Sequence, residues 1–114
     1  MGLAVPKRLF AGVAPTTQTL EYTVPANTRT IITSITITNR SNTNRDISIW
    51  IVPNGESETD PQWAYLNEFT LAADEIVQMT SLSEVMEANG EIWIEGSFAD
   101  AINVRMNGTE TSIA

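Results

Sequence analysis

The sequence predicts an all-β protein, an antiparallel β-sandwich of the jelly-roll or immunoglobulin-like kind with about seven to eight short strands. Three observations carry this expectation. Apolar and polar residues alternate at period two in almost every segment, as they do in a half-buried strand. Those segments are rich in Ile, Val and Thr, which suit a pleated surface. Between them lie clusters of Asn, Ser, Gly and Pro, and no segment is long enough to stand alone as a helix.

The elements follow in order. Gln18–Val24 reads as a first strand. In Thr30–Asn39, Ile31, Thr33, Ile35 and Ile37 fall on one face, with Ser34, Thr36 and Thr38 on the other. A polar turn, Arg40–Arg45, leads to Ile47, Ile49 and Ile51, which alternate with Ser48, Trp50 and Val52. Two such strands around a turn-forming cluster have the pattern of a β-hairpin. Phe69 and Leu71 precede an Ala-Ala-Asp-Glu corner, and Ile76 to Met79 follow it. Asn89-Gly90 supplies a turn before Glu91–Ser97, with Ile92 and Ile94 inward. Ala101–Asn107 closes the pattern with Ile102, Val104 and Met106. Two single helical turns are expected: Pro61–Leu66 with Asp60 as N-cap, and Ser83–Ala88 with Ser83 as N-cap.

Residues 1–17 differ from the rest. Gly2, Pro6, Gly12 and Pro15 preclude a regular helix, while Leu3, Val5, Leu9, Phe10 and Val13 are apolar without a clean period. This segment is expected to be an extended N-terminal arm, with a neighbouring molecule ranked ahead of its own sheet as the surface it lies over, and with a sandwich domain following at 18–114. Lys7, Arg8, Leu9 and Phe10 are its expected gripping residues.

The 114 residues fit one domain, and a hydrophobic share of 42% fits a globular core. No apolar run approaches the length a bilayer span needs, and the N-terminus lacks a signal-peptide apolar stretch, so synthesis and retention in the cytoplasm are expected. The sequons at Asn39 and Asn107 then read as chance matches.

The chain has no Cys and no His. Disulfides, thiolate metal sites, Ser–His–Asp triads and conventional zinc sites are excluded by composition. The expectation is a non-enzyme without a cofactor. A formal net charge of −8 argues against tracking a nucleic-acid backbone. The charge is unevenly placed: five of the six basic residues precede Asp46, and thirteen of the fourteen acids follow Arg45.

Glu56, Glu58 and Asp60 alternate in a loop that faintly resembles a calcium-binding loop, but the glycine precedes the acids and no helix flanks them. A solvated acidic loop is the better reading. Glu91 and Glu95 share a strand face with Trp93 between them. Docking of a protein neighbour ranks first there, a covered core second and a sugar site third. The hydroxyl-rich strands suit cross-strand pairing and lateral packing in multimers; the outward Thr array is too small for ice binding.

Tyr22-Thr23-Val24-Pro25-Ala26, the isoleucine-rich strand ending in Thr38-Asn39, and Ile49–Gly55 with its Val52-Pro53-Asn54-Gly55 close together resemble a pattern in small virion proteins of tailed bacteriophages. A later phrase, Glu87-Ala88-Asn89-Gly90-Glu91-Ile92, is similar to theirs but carries an inserted Asn89. The resemblance spans most of residues 20–108. It implies a structural role at the capsid surface, as a decoration (cement) protein bound to the major capsid protein. Tail, neck and head-fibre components, or a carbohydrate-binding adhesion module, are the alternatives. It also implies a homo-oligomer, with a trimer expected, and carries over no catalytic residues; on charge and hydropathy, neither a nucleic-acid nor a membrane partner is expected.

Overall fold

The computed structural model describes residues 2–113. Nine strands and one turn of 3-10 helix follow one another: β1 (Val5–Val13), β2 (Thr19–Thr23), β3 (Thr28–Asn39), β4 (Arg45–Val52), the 3-10 turn (Pro61–Trp63), β5 (Ala64–Leu71), β6 (Ile76–Met79), β7 (Glu84–Met86), β8 (Glu91–Gly96) and β9 (Ile102–Ser112). They form two antiparallel sheets. Sheet A runs β1-β9-β3-β6, with β7 also pairing β3, and sheet B runs β2-β8-β4-β5.

The pairings nest. β4 pairs β5, β3 pairs β6 and β7, β2 pairs β8, and β1 pairs β9. A single long hairpin rolled across two layers gives this order, and it is the jelly-roll topology. Of the two sandwich kinds expected, the strand order selects the jelly roll.

The core is isoleucine-rich. Ile32, Ile35 and Ile37 of β3 and Ile102 of β9 meet Ile47, Ile49, Ile92 and Ile94 of sheet B, all at 0 % exposure. Full burial of each such side chain is worth about 1.5–3 kcal/mol, so this layer holds the sheets together in a chain that has no cysteine for a disulfide.

Three expectations about local structure are corrected. First, β3 does not keep one parity. A bulge at Thr33 shifts the register, so Thr30 and Ile32 point inward before it, and Ile35, Ile37 and Asn39 after it. Ile31 and Thr33 are only half-buried. Second, β3 and β4 are not a hairpin, because they lie in different sheets. Their isoleucines face one another across the core, and the Arg40–Asn44 turn is an arch between layers. Asn39 clamps it: its amide Nδ2 donates to the carbonyls of Thr43 (2.9 Å), Leu71 (3.2 Å) and Ala72 (3.0 Å), while its Oδ1 accepts from Ser41. Third, the expected helical turn at Ser83–Ala88 is strand β7. β6 covers only Ile35–Thr38 of β3, and β7 takes the vacant edge at Thr30–Ile32.

The expected turn at Asp60 is present but shorter. The Asp60 carboxylate accepts from Gln62 N (3.1 Å) and Pro61 opens the turn, which ends at Trp63 because Ala64 already belongs to β5. The hydrogen bonds from Gln62 hold the Asp60 carboxyl below its ordinary pKa.

The N-terminal segment is extended as expected, but over its own sheet. Val5–Val13 is the edge strand of sheet A, registered on β9 from Val5↔Glu110 to Val13↔Asn103. Ala14 N donates to Ile102 O, and Pro15 O accepts from Gly96 N, which carries the chain from sheet A to sheet B. The boundary expected at residue 17 therefore falls inside a continuous fold.

Candidate functional site

The strand register divides the molecule into two outer faces. On sheet A the outward rows are Pro6–Thr109–Ile31–Val85, Arg8–Asn107–Ser34, Ala11–Arg105–Thr36–Gln78 and Val13–Asn103–Thr38–Ile76. Hydroxyl and amide side chains alternate with apolar ones on this face, and the exposed apolar side chains Val85 and Ile76 lie along the far edge. The bulges at Leu9 and Thr33 flank a shallow groove of about 450 Å³ lined by Pro6, Lys7, Arg8, Thr33, Asn107 and Thr109.

Each basic residue can be assigned. Lys7 Nζ lies 3.7 Å from Glu110, and Arg29 pairs with Glu87 at 2.7 Å. Arg40 donates to the Asp100 carbonyl at 2.9 Å. The Arg45 guanidinium stacks 3.9 Å over the Phe98 ring. Arg8 and Arg105 are exposed and make no ion pair among the described residues. Both stand on the outer face of sheet A.

Sheet B is the acidic side. Glu91 and Glu95 of β8 point outward with Asp46 of β4, and Glu68 sits in a bulge of β5 with positive φ. Asp46, Glu68 and Glu95 share a small depression of about 110 Å³ with Ser48 and Ser97. Glu21, beside the bulge in β2, is pushed above its ordinary pKa by burial. Among the described residues, no cluster of acids has the arrangement to hold a metal ion. In the Glu56–Asp60 loop Glu56 is exposed, while Glu58 and Asp60 are half-buried.

Trp93 lies at the centre of this face, opposite Leu20 on one side and Trp50 on the other. Its indole Nε1 donates to Glu91 Oε1 at 3.0 Å. The loop after β4 reaches across to the β2 edge, where Gln18 Nε2 donates to the Glu58 carbonyl at 2.8 Å. Trp93 and Trp50 are half-buried.

Of the expected gripping residues, only Arg8 is on an open face. Lys7 is at the sheet edge. Leu9 turns inward at the β1 bulge and is 5 % exposed, and Phe10 packs half-buried against the core. Leu9 is unavailable to a partner. Of the sequon residues, Asn39 is fully buried and committed to the arch, while Asn107 is exposed on sheet A. The sequence reading missed Arg105 as a site residue. Its alternation with Val104 and Met106 marks it as outward, but only the strand order places it beside Arg8.

No protein-family model, curated protein or solved structure matches this chain.

Proposed function

We propose that this protein is a virion structural protein of the tailed-bacteriophage kind, a capsid decoration protein that docks on the major capsid protein through the outer face of sheet A. One observation carries the reading: in a molecule of net charge −8, the open sheet face holds Arg8 and Arg105, the two basic side chains that have neither an ion pair, a hydrogen bond nor a ring stack among the described residues. Such a charge division orients a molecule as it approaches an acidic surface and repels the wrong face. The rows of Thr, Ser, Asn and Gln around Arg8 and Arg105 suit a flat, hydrogen-bonded contact.

Two further considerations support it. The resemblance to small phage virion proteins maps onto structural positions here: Tyr22–Ala26 leaves β2, Ile31–Asn39 lies within β3, and Ile49–Gly55 ends β4. Jelly rolls also recur in capsid proteins, although they serve lectins and cupins as well, so the fold alone does not choose. Assembly needs no acid–base side chain, and composition supplies neither His nor Cys.

The test is binding to phage heads that lack decoration, with the wild type and an Arg8→Glu/Arg105→Glu double variant compared by co-sedimentation. Wild-type binding that drops at least about tenfold in the variant is expected, since each lost interfacial charge contact costs on the order of 1 kcal/mol or more. Equal binding of both proteins, or no wild-type binding, sinks the proposal.

A further inference from the structure

A second, apolar surface is built into one end of sheet A. β5 begins at Ala64, opposite Trp50, so the last residues of β4 have no neighbour on that side. The edge strand β7 faces them from the other sheet. Between these two edges lies a cleft of about 320 Å³, walled by Ile51, Val52, Pro53, Trp63, Val85 and Met86. That volume corresponds to about ten waters at roughly 30 Å³ each. Its rim carries two carboxylates, Glu84 and Glu87, the second of them already paired with Arg29.

The same end of the sheet, at its opposite edge, carries an apolar projection. Leu3 is 88 % exposed, the most of any large apolar side chain described, and Val5 (58 %) and Ile113 (41 %) stand with it. Gly2 N donates to Ser112 O at 2.8 Å, which anchors the backbone next to Leu3. Lys7 follows on the same edge. The path from this edge to the cleft crosses β1, β9, β3 and β7, three strand spacings or about 14 Å. No copy can therefore bury its own Leu3 in its own cleft.

We propose that Leu3 of one copy seats in the β4–β7 cleft of a second copy. The apolar walls receive the Leu3 and Val5 side chains, and Glu84 on the rim faces the following Lys7, which is half-exposed and holds its own Glu110 only at 3.7 Å. Knob and hole lie at opposite edges of one sheet end, so each copy offers both halves of a head-to-tail contact. Repetition of such a contact closes into a ring when the rotation between copies is an integral fraction of a turn. The contact involves neither Arg8 nor Arg105 and stands apart from the particle reading. A domain that binds no phage head could still form it, and a monomer could still decorate a head.

Because the chain has no cysteine, it can be tested by cross-linking. Leu3→Cys and Val85→Cys single variants, both at exposed positions that leave the core intact, are mixed and oxidised. A disulfide requires Cα atoms within about 7 Å, so cross-linked dimer is expected in the mixture in excess of either variant alone. The double variant should give a ladder ending at a closed ring. Native mass spectrometry of the wild type should show that same oligomer, and Leu3→Asp should shift it to monomer with an unchanged circular dichroism spectrum. A wild type that stays monomeric at high micromolar concentration overturns the proposal. So does an oligomer indifferent to Leu3→Asp, or a mixture that cross-links no better than the single variants.

Discussion

Tyr22 of sheet B donates its phenolic hydrogen to the Glu110 carboxylate of sheet A, tying the two layers together at one end of the sandwich. The same hydroxyl lies 2.8 Å from Thr30 Oγ1, and Lys7 stands at 3.7 Å on the other carboxylate oxygen. Burial, then the hydrogen bond to Glu110, push the Tyr22 phenol well above its ordinary value of 10.0. A phenol whose folded pKa is raised contributes its stability fully below the unfolded pKa and loses it as pH climbs beyond. Tyr22→Phe should therefore cost about 1–2 kcal/mol at pH 7, because it leaves a half-buried carboxylate short of a donor. The difference between wild type and variant should shrink above about pH 10. Urea denaturation at a series of pH values checks both the size and the direction.

Asn39 is the second load on the fold's polar interior. Its Nδ2 faces three carbonyls, and its Oδ1 accepts from both the N–H and the hydroxyl of Ser41. Asn39→Asp exchanges the donor for an anion directed at carbonyl oxygens in a fully buried position. It should destabilise by about 3 kcal/mol or more at neutral pH, since a buried charge is left without compensation. Acidification should recover part of the loss, because a protonated carboxyl again offers a hydrogen. Melting temperatures of the variant at neutral and mildly acidic pH distinguish this from a simple packing defect, which acid would not relieve.

The parts of this fold that were legible in the sequence are those where alternation runs unbroken. Ile92 and Ile94, and then Ile102, Val104 and Met106, are inward as their period requires, and Asp60 caps its turn. Bulges escaped because nothing in Arg8-Leu9-Phe10 or Ile32-Thr33-Ser34 marks an extra residue, yet each flips the faces beyond it. The β3–β4 arch escaped for a different reason. Turn composition reports a reversal of direction and is silent on whether the second strand joins the same sheet. β1 was obscured by Pro6 and Gly12, which argue against a central strand but are tolerated on an edge. The open face at Arg8 and Arg105 emerged only when β9 was placed between β1 and β3.

Gly108 occupies the tightest position of the glycines. A Cβ there would stand 2.2 Å from the Ile31 carbonyl oxygen and 3.1 Å from Leu9 Cδ1. The oxygen belongs to the backbone of the neighbouring strand, so it cannot rotate away as a side chain would. Gly108→Ala should force β9 and β3 apart beside both bulges and cost about 3 kcal/mol. Gly55, whose Cβ would meet nothing but whose φ is +87°, provides the contrast. Its alanine variant should lose only the smaller penalty of a left-handed turn, on the order of 1 kcal/mol. Equal losses in the two variants, measured by chemical denaturation, would exclude strand crowding as the cause at Gly108.

Whether the N-terminal segment is an arm or a strand can be decided at two adjacent residues. Arg8 points to solvent on the outer face, and Leu9 turns into the core at the bulge. Were residues 1–17 a detachable arm, alanine at either position would leave the stability of the sandwich unchanged. As strand β1 they should behave in opposite ways. Leu9→Ala removes a buried side chain and should cost about 2–4 kcal/mol, whereas Arg8→Ala should stay within about 0.5 kcal/mol. Deletion of residues 2–13 should be more damaging still, because it strips Leu9 and Phe10 from the core and leaves β9 as an unprotected edge. Loss of particle binding in such a truncation would then report unfolding. Only the surface substitutions at Arg8 and Arg105 can separate docking from stability.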